Sequence, residues 1–320
     1  MVLDVHFLLP YIQAKLKTES IDLFLHSGVS ELGKGAYSKT YLVKSSVGKL
    51  VIHVVQDSHT IEQFQNAERR FFLSQFLKHH PKVPTALMIT YGQVEDTVYT
   101  VQEYMPGKEI KHVKDEIEHL QHLAEIISYL HNVNLRGGGY LKFNGDKPEG
   151  IHTNWYLFLR RFTFFWFKSI YQYVTKENIS ESLSSESYVR IQSKLKKYFR
   201  KYKTYFEGLR CNLLHGDLSL GNILIDGKRV SALIDLDFSM VGDPAWDFAF
   251  RDHLHKNLLP LYFSEMRGLG VDIDEDHFRF RISLYEPIIK LAITNSLKRK
   301  PNINIKKDLA HIESMIDNLV

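Results

Sequence analysis

The feature that most constrains this chain is a break in periodicity at Met105-Pro106-Gly107. Before it, short apolar and β-branched runs at 31–43, 49–56 and 97–103 are bounded by glycine, serine or proline, and read as strands. One helix interrupts them: in 60–77, Ile61, Phe64, Phe71, Phe72, Phe76 and Leu77 can share a face. Thr60 is placed to cap that helix, and Pro81 and Pro84 end it. After Gly107 helical spacing takes over, at 119–131, 154–173 and 189–206 and again toward the C-terminus. Short strands return only within 213–237, and 180–187 reads as an exposed loop. The pattern predicts an α+β fold, with a small β-rich N-terminal lobe over 1–105 and a larger helical lobe over 106–320.

Composition narrows the classes. The 41 basic and 37 acidic residues leave a net charge of +4, too even a balance for a nucleic-acid binder. A single cysteine, Cys211, excludes an internal disulfide framework and any Cys-x-x-Cys metal site. The most apolar run, 162–167, is far shorter than the ~20 residues of a membrane-spanning helix. The N-terminus lacks the marks of a secretory signal, so a cytoplasmic location with no membrane partner is the expectation.

Chemistry concentrates in His215-Gly216-Asp217-Leu218-Ser219-Leu220-Gly221-Asn222, followed by Asp235, Gly242-Asp243-Pro244 and Asp247. Phosphoryl transfer needs a carboxylate to orient the attacking hydroxyl and accept its proton, and oxygen ligands to hold magnesium on the phosphates. An Asp and an Asn five positions apart on one loop, with an Asp at the end of the next hairpin, can supply both; Asp226-Gly227 marks that hairpin's turn. The pattern His-x-Asp-x-x-x-x-Asn with a further Asp resembles the catalytic loop and metal-binding Asp of protein kinases. Gly216, the Ile-Asp-x-Asp form and the Gly-Asp-Pro-x-x-x-Asp tail resemble instead the aminoglycoside phosphotransferase and choline kinase superfamily. The resemblance implies a two-lobed protein-kinase-like fold, with Asp217 as catalytic base, Asn222 and Asp235 as magnesium ligands, and His215 bracing the loop. Asp243-Pro244 reads as a helix cap followed by proline, so Asp243 and Asp247 are expected to be structural. Asp237 either supports the metal site or faces solvent.

The same resemblance assigns nucleotide-binding roles upstream. Gly33 and Gly35, with Ser38, lie between predicted strands where backbone N–H groups can approach phosphate. A strand lysine normally follows, paired with a helix glutamate. Here the strand is Leu50-Val51-Ile52-His53-Val54-Val55, so the lysine position falls on His53, with Lys39, Lys44 and Lys49 as alternative cations. Glu68 matches the helix glutamate, with Glu62 second. Backbone groups of Glu103 and Met105 would hold the purine of ATP, or of GTP, with Gln102 behind them.

The expected partner is a small molecule with a free hydroxyl. An aminoglycoside-type antibiotic leads, with choline-like alcohols, sugars and macrolides as alternatives, and a nucleotide-binding pseudoenzyme as a second class suggested by His53. A polycationic acceptor would want several carboxylates, for which Glu177, Asp252, Glu286 and the run 272–276 are candidates. Trp155, Phe158, Phe162, Phe165 and Trp166 form an aromatic helix stripe that reads as core, with stacking on an acceptor as the other reading. The lysines of 194–203 read as a solvated face.

Overall fold

The structure is a computed structural model and describes residues 4–34, 38–56, 60–110, 117–177, 183–249, 253–300 and 303–320. In chain order its elements are α1 (Val5–Thr18), β1 (Leu25–Lys34), β2 (Ser38–Ser45), β3 (Gly48–Gln56), α2 (Thr60–Leu77), β4 (Met88–Val94), β5 (Thr97–Glu103), β6 (Lys108–Glu109), α3 (Ile117–His131), β7 (Gly138–Asn144) and β8 (Lys147–His152). These are followed by α4 (Trp155–Lys176), α5 (Ser185–Lys201), α6 (Lys203–Phe206), β9 (Asn212–Leu214), β10 (Ile223–Asp226), β11 (Arg229–Leu233), β12 (Met240–Gly242), α7 (His253–Gly268), α8 (Glu275–Leu297) and α9 (Ile305–Leu319). Two compact units share them. Unit 1 comprises 1–122, 143–148 and 220–237; unit 2 comprises 123–142, 149–219 and 238–320.

Unit 1 is built on a five-stranded antiparallel sheet in the order β1-β2-β3-β5-β4. Side chains alternate across β3. Leu50, Ile52 and Val54 bury into a cluster with Val5, Leu8, Ile12 and Leu16, the i, i+3, i+4 stripe of α1. Val51 and His53 point the other way, in register with Leu42 and Thr40 on β2 and with Gln102 and Thr100 on β5. The unit does not stop at residue 105. β6 pairs with β10 of the β10–β11 hairpin, Glu109 opposite Leu224 and Lys108 opposite Ile225, which places 220–237 in unit 1. Gly107 permits that approach: it has φ +132°, and a Cβ there would lie 2.8 Å from the Ile225 carbonyl oxygen.

Unit 2 carries a four-stranded sheet, β8-β7-β12-β9, and helices α4, α5, α7, α8 and α9. α4 and α9 both pack on α8, and α5 packs on α9. Arg190 on α5 makes two hydrogen bonds to Glu313 on α9, at 2.7 and 3.0 Å, and Lys194 bridges Glu313 and Asp317. Part of the basic face of α5 is therefore tied to an acidic helix rather than left in solvent. Among the described residues no helix is long and apolar enough to cross a membrane.

Candidate active site

A cavity of about 840 Å³ opens on the α1-remote face of the unit 1 sheet. Its floor is the outward alternation just described: Thr40, Val51, His53 and Gln102 line it, together with Gly33 and Ser38 from β1 and β2. Glu103 and Met105 form one rim. Gly35 lies outside the described residues. The Glu103 N–H donates to the Leu87 carbonyl at 3.0 Å, while the Met105 N–H has no hydrogen-bond partner among the described residues.

The β10–β11 hairpin closes the cavity's other side with Asn222 and Asp235. The Ile234 N–H donates to the Asn222 carbonyl at 2.9 Å and ties the two segments together. Asp235 sits at φ +61°, left-handed backbone that is costly for a residue with a Cβ and collects at functional sites. An amide oxygen and a carboxylate are hard donors that suit magnesium, an ion commonly held by one or two protein ligands plus phosphate oxygens. Among the described residues no group of three or more His, Cys, Asp or Glu is placed to hold a metal alone. The pair at 222 and 235 thus fits an ion that takes its remaining ligands from a nucleotide.

The strand and helix charges differ from the expected lysine–glutamate pair. Burial, with Arg70 nearby, pushes the His53 pKa down to about 4, although Asp237 opposes the shift. His53 is therefore neutral at pH 7, and its Nδ1 is buried without a hydrogen-bond partner. Glu68 does not line the cavity; its carboxylate accepts from the Tyr91 hydroxyl at 3.2 Å. Arg70 and Ser74, one helical turn apart on α2, line it instead. Arg70 Nε lies 2.8 Å from Asp237 Oδ1 without the alignment of a hydrogen bond. Sequence reasoning missed Arg70, and the signal was helical phase: the face of α2 that carries buried Ala67 and Ser74 carries Arg70, not Glu68.

Asp217 lines a second cavity, of about 230 Å³, in unit 2. Its loop is held by backbone. Asp247 is fully buried and accepts from the His215 N–H through Oδ2 and the Gly216 N–H through Oδ1, each at 2.8 Å. His131 Nε2 lies 3.0 Å from Oδ2 and completes the set. Burial alone would raise the Asp247 pKa, but the His131 hydrogen bond, the His131 and His215 imidazoles and the Gly216 N–H outweigh it and hold the carboxyl below its usual range. His215 Nδ1 accepts from the Asp217 N–H at 3.3 Å, which puts the proton of a neutral ring on Nε2. Gly216 has φ +83°, and a Cβ there would sit 1.9 Å from the Phe238 carbonyl oxygen, so no other residue fits. Asp243 accepts from Ala245 N–H at 3.2 Å as the cap of a short 3₁₀ turn that begins at Pro244. It also accepts from Arg281 at 2.7 Å and from the Tyr285 hydroxyl at 2.7 Å.

The walls of the second cavity are apolar. Trp166, Phe238, Met240 and Trp246 face Ile289, Ala292, Ile293 and Leu297 of α8, and Asp217 is its one carboxylate among the described residues. Glu177, Glu286 and residues 272–276 do not line it, and Asp252 lies outside the described residues. Asp274 instead caps α8, and Glu275 pairs with Arg267. Of the aromatic stripe, Trp155 and Phe158 are fully buried core, Phe165 is exposed, and Trp166 reaches the cavity.

The model of the phosphotransferase enzyme family, APH, matches residues 28–250, well over half of the chain. The chain is a member of that family. It is accordingly a small-molecule kinase, with nucleotide binding a property of the family. Its fold is α+β and kinase-like, with an N-terminal sheet and a helical C-terminal part. Among solved structures, a putative fructosamine-3-kinase from Haemophilus somnus 129PT is 14% identical, over 99% of this chain and 100% of that one, with a TM-score of 0.69. A thermostable variant of aminoglycoside phosphotransferase APH(4)-Ia, in ternary complex with ADP and hygromycin B, is 15% identical over 96% of each chain, with a TM-score of 0.60. The GDP complex of aminoglycoside 2'-phosphotransferase-IIIa is 14% identical over 98% of this chain and 99% of that one, with a TM-score of 0.61. Comparison with curated proteins gives no match.

Proposed function

We propose that this APH-family phosphotransferase transfers the γ-phosphoryl group of ATP to a hydroxyl carried on a small, largely apolar molecule. The observation that carries the reading is the division of chemistry between two cavities. Asn222 and Asp235 stand in the unit 1 cavity, and among the described residues Asp217 is the sole carboxylate of the apolar one. In this reading the purine stacks against the β3 and β5 face and meets backbone groups of Glu103 and Met105, an arrangement that leaves GTP as a second donor. Gly33 of β1 and Ser38 of β2 line the cavity where the phosphates would lie. Asn222 and Asp235 would hold magnesium on the phosphate oxygens, and the bound ion would offset the charge that builds up during transfer. Asp217 accepts a hydrogen bond from the acceptor hydroxyl, orients its oxygen toward the γ-phosphorus and takes its proton as the new P–O bond forms and the bond to ADP breaks.

The acceptor class departs from the aminoglycoside expectation. A polycation placed among Trp166, Trp246, Ile289 and Ile293 would lose hydration with one carboxylate in return, and that carboxylate is needed as the base. Phe238 and Ile293 are 43% and 38% exposed, apolar groups left at a concave surface where an apolar ligand would cover them. At about 230 Å³ the cavity is below the ~300–1,000 Å³ of drug-sized sites, so it suits a small alcohol or the reactive end of a larger one. A coupled ADP-release screen of alicyclic and aromatic alcohols, choline, simple sugars, macrolides and aminoglycosides tests the reading. Turnover of apolar alcohols that is lost in Asp217→Ala supports it. Preferred turnover of aminoglycosides would overturn the acceptor class, and undiminished turnover in Asp217→Ala would overturn the base.

A further inference from the structure

We infer that Arg70 on α2 is the phosphate-binding cation of the unit 1 cavity, held in place by Asp237, and that the position on β3 has given up that role. The inference rests on reading this cavity as the nucleotide site.

Four observations lead to it. First, among the described residues two basic side chains besides His53 line the cavity, Arg70 and Lys108. Lys39, Lys44 and Lys49 do not line it, and the Lys49 ammonium lies over the Tyr104 ring at 5.4 Å. Lys108 is exposed on the short edge strand β6, whereas the Arg70 side chain is only 13% exposed. Second, His53 cannot supply the charge. With its pKa near 4, on the order of one molecule in a thousand carries it as a cation at pH 7.

Third, the Arg70–Asp237 pair is incompletely satisfied. Its 2.8 Å contact lacks hydrogen-bond alignment, and neither Arg70 Nη atom has a hydrogen bond among the described residues. A largely buried guanidinium is costly unless its donors are used. With Nε beside a carboxylate, the two Nη groups present a planar fork suited to two phosphate oxygens. Fourth, His53 lines the same cavity while its Nδ1 is buried without a hydrogen-bond partner, so β3 presents a neutral ring where a cation would be expected.

The arrangement inverts the usual order of charge. Kinases of this type set a cation on the strand and an anion on the helix. Here the strand is neutral at His53, the helix carries the cation, and the anion comes from Asp237, two residues past Asp235. Glu68 is left outside, bonded to Tyr91.

The test compares ligands that differ only in phosphate count. ATP, ADP and adenosine are titrated against the wild type, Arg70→Met and Arg70→Lys, with a thermal scan of each variant. Loss of a charge-assisted pair predicts that Arg70→Met weakens ATP and ADP by about 10- to 100-fold and leaves adenosine unchanged, with Arg70→Lys between the two. The double variant His53→Lys/Arg70→Met returns the cation to the strand and is expected to recover much of the ATP affinity. Unchanged ATP affinity in Arg70→Met, or an equal loss of ATP and adenosine, would overturn the inference. A wild type that binds none of the three would defeat the nucleotide reading of the cavity itself, a separate result.

Discussion

The two cavities of this protein differ most in how many charged groups they gather. The unit 1 cavity sets His53, Arg70, Asn222, Asp235 and Asp237, from a sheet face, one helix face and a hairpin, among apolar side chains such as Val51, Met88 and Leu233. The unit 2 cavity is walled by rings and branched aliphatics around one carboxylate among the described residues, Asp217. Phosphate is the same anion in every reaction of this kind, so the groups that handle it are few and charged. An acceptor alcohol varies, and in the proposed reading what selects it is shape and apolar cover. The difference teaches that reaction type and substrate identity are recorded in different kinds of residue.

The comparison breaks first at Asp217. Asp217→Ala is expected to lower phosphotransfer by about 10³-fold or more with ATP affinity intact, the mark of a group that acts on the acceptor side. A parallel loss of ATP binding would merge the two cavities into one function. Next in size is Gly216→Ala. A Cβ 1.9 Å from the Phe238 carbonyl, at φ +83°, should cost about 3 kcal/mol in denaturant unfolding and displace the Asp217 loop.

A pH experiment sharpens the polar side. The folded pKa of His53 is about 4 and its unfolded value about 6.5, so the unfolded chain takes up the proton first as pH falls. Stability is unaffected above pH 7 and drops by about 2 kcal/mol between pH 7 and 5 through this group. Asp247 contributes in the same direction at lower pH, since a carboxyl held below its usual range loses its advantage only as pH falls through the folded value. Comparing urea midpoints of wild type and His53→Gln at pH 7 and 5 separates them: the variant should lose less. The smallest effect is expected from Ile293→Asp, which puts a charge at the apolar rim. It should raise the KM of an apolar acceptor about tenfold and leave ATP affinity unchanged.

Much of this was legible in the sequence. The strand at 97–103 and the helix at 60–77 coincide with β5 and α2, because alternation and helical phase there are unbroken and proline or glycine ends each run. The β3 alternation also placed Val51 and His53 on the cavity side. Other features escaped. α1 carries its apolar stripe in a segment with Pro10 inside and few residues to mark its ends. The β7–β8 hairpin is too short and glycine-rich for a clear alternation. Arg70 was hidden by the choice between neighbouring charges on one helix, a matter of about 100° of rotation per residue. The wall of the unit 2 cavity was hidden because Ile289, Ala292 and Ile293 look like any buried helix face until Asp217 is set beside them.

α8 divides its labour about Pro287. Its first half anchors: Arg281 and Tyr285 grip Asp243. In its second half, Ile289, Ala292, Ile293, Ser296 and Leu297 line the unit 2 cavity, while Lys290 and Thr294 turn to Asp308 of α9. On the proposed acceptor site, mutational drift would retune what this kinase accepts by trading those five lining residues along one helix, with the Asp217 loop undisturbed. A laboratory library confined to 289, 292, 293, 296 and 297 would explore that same freedom.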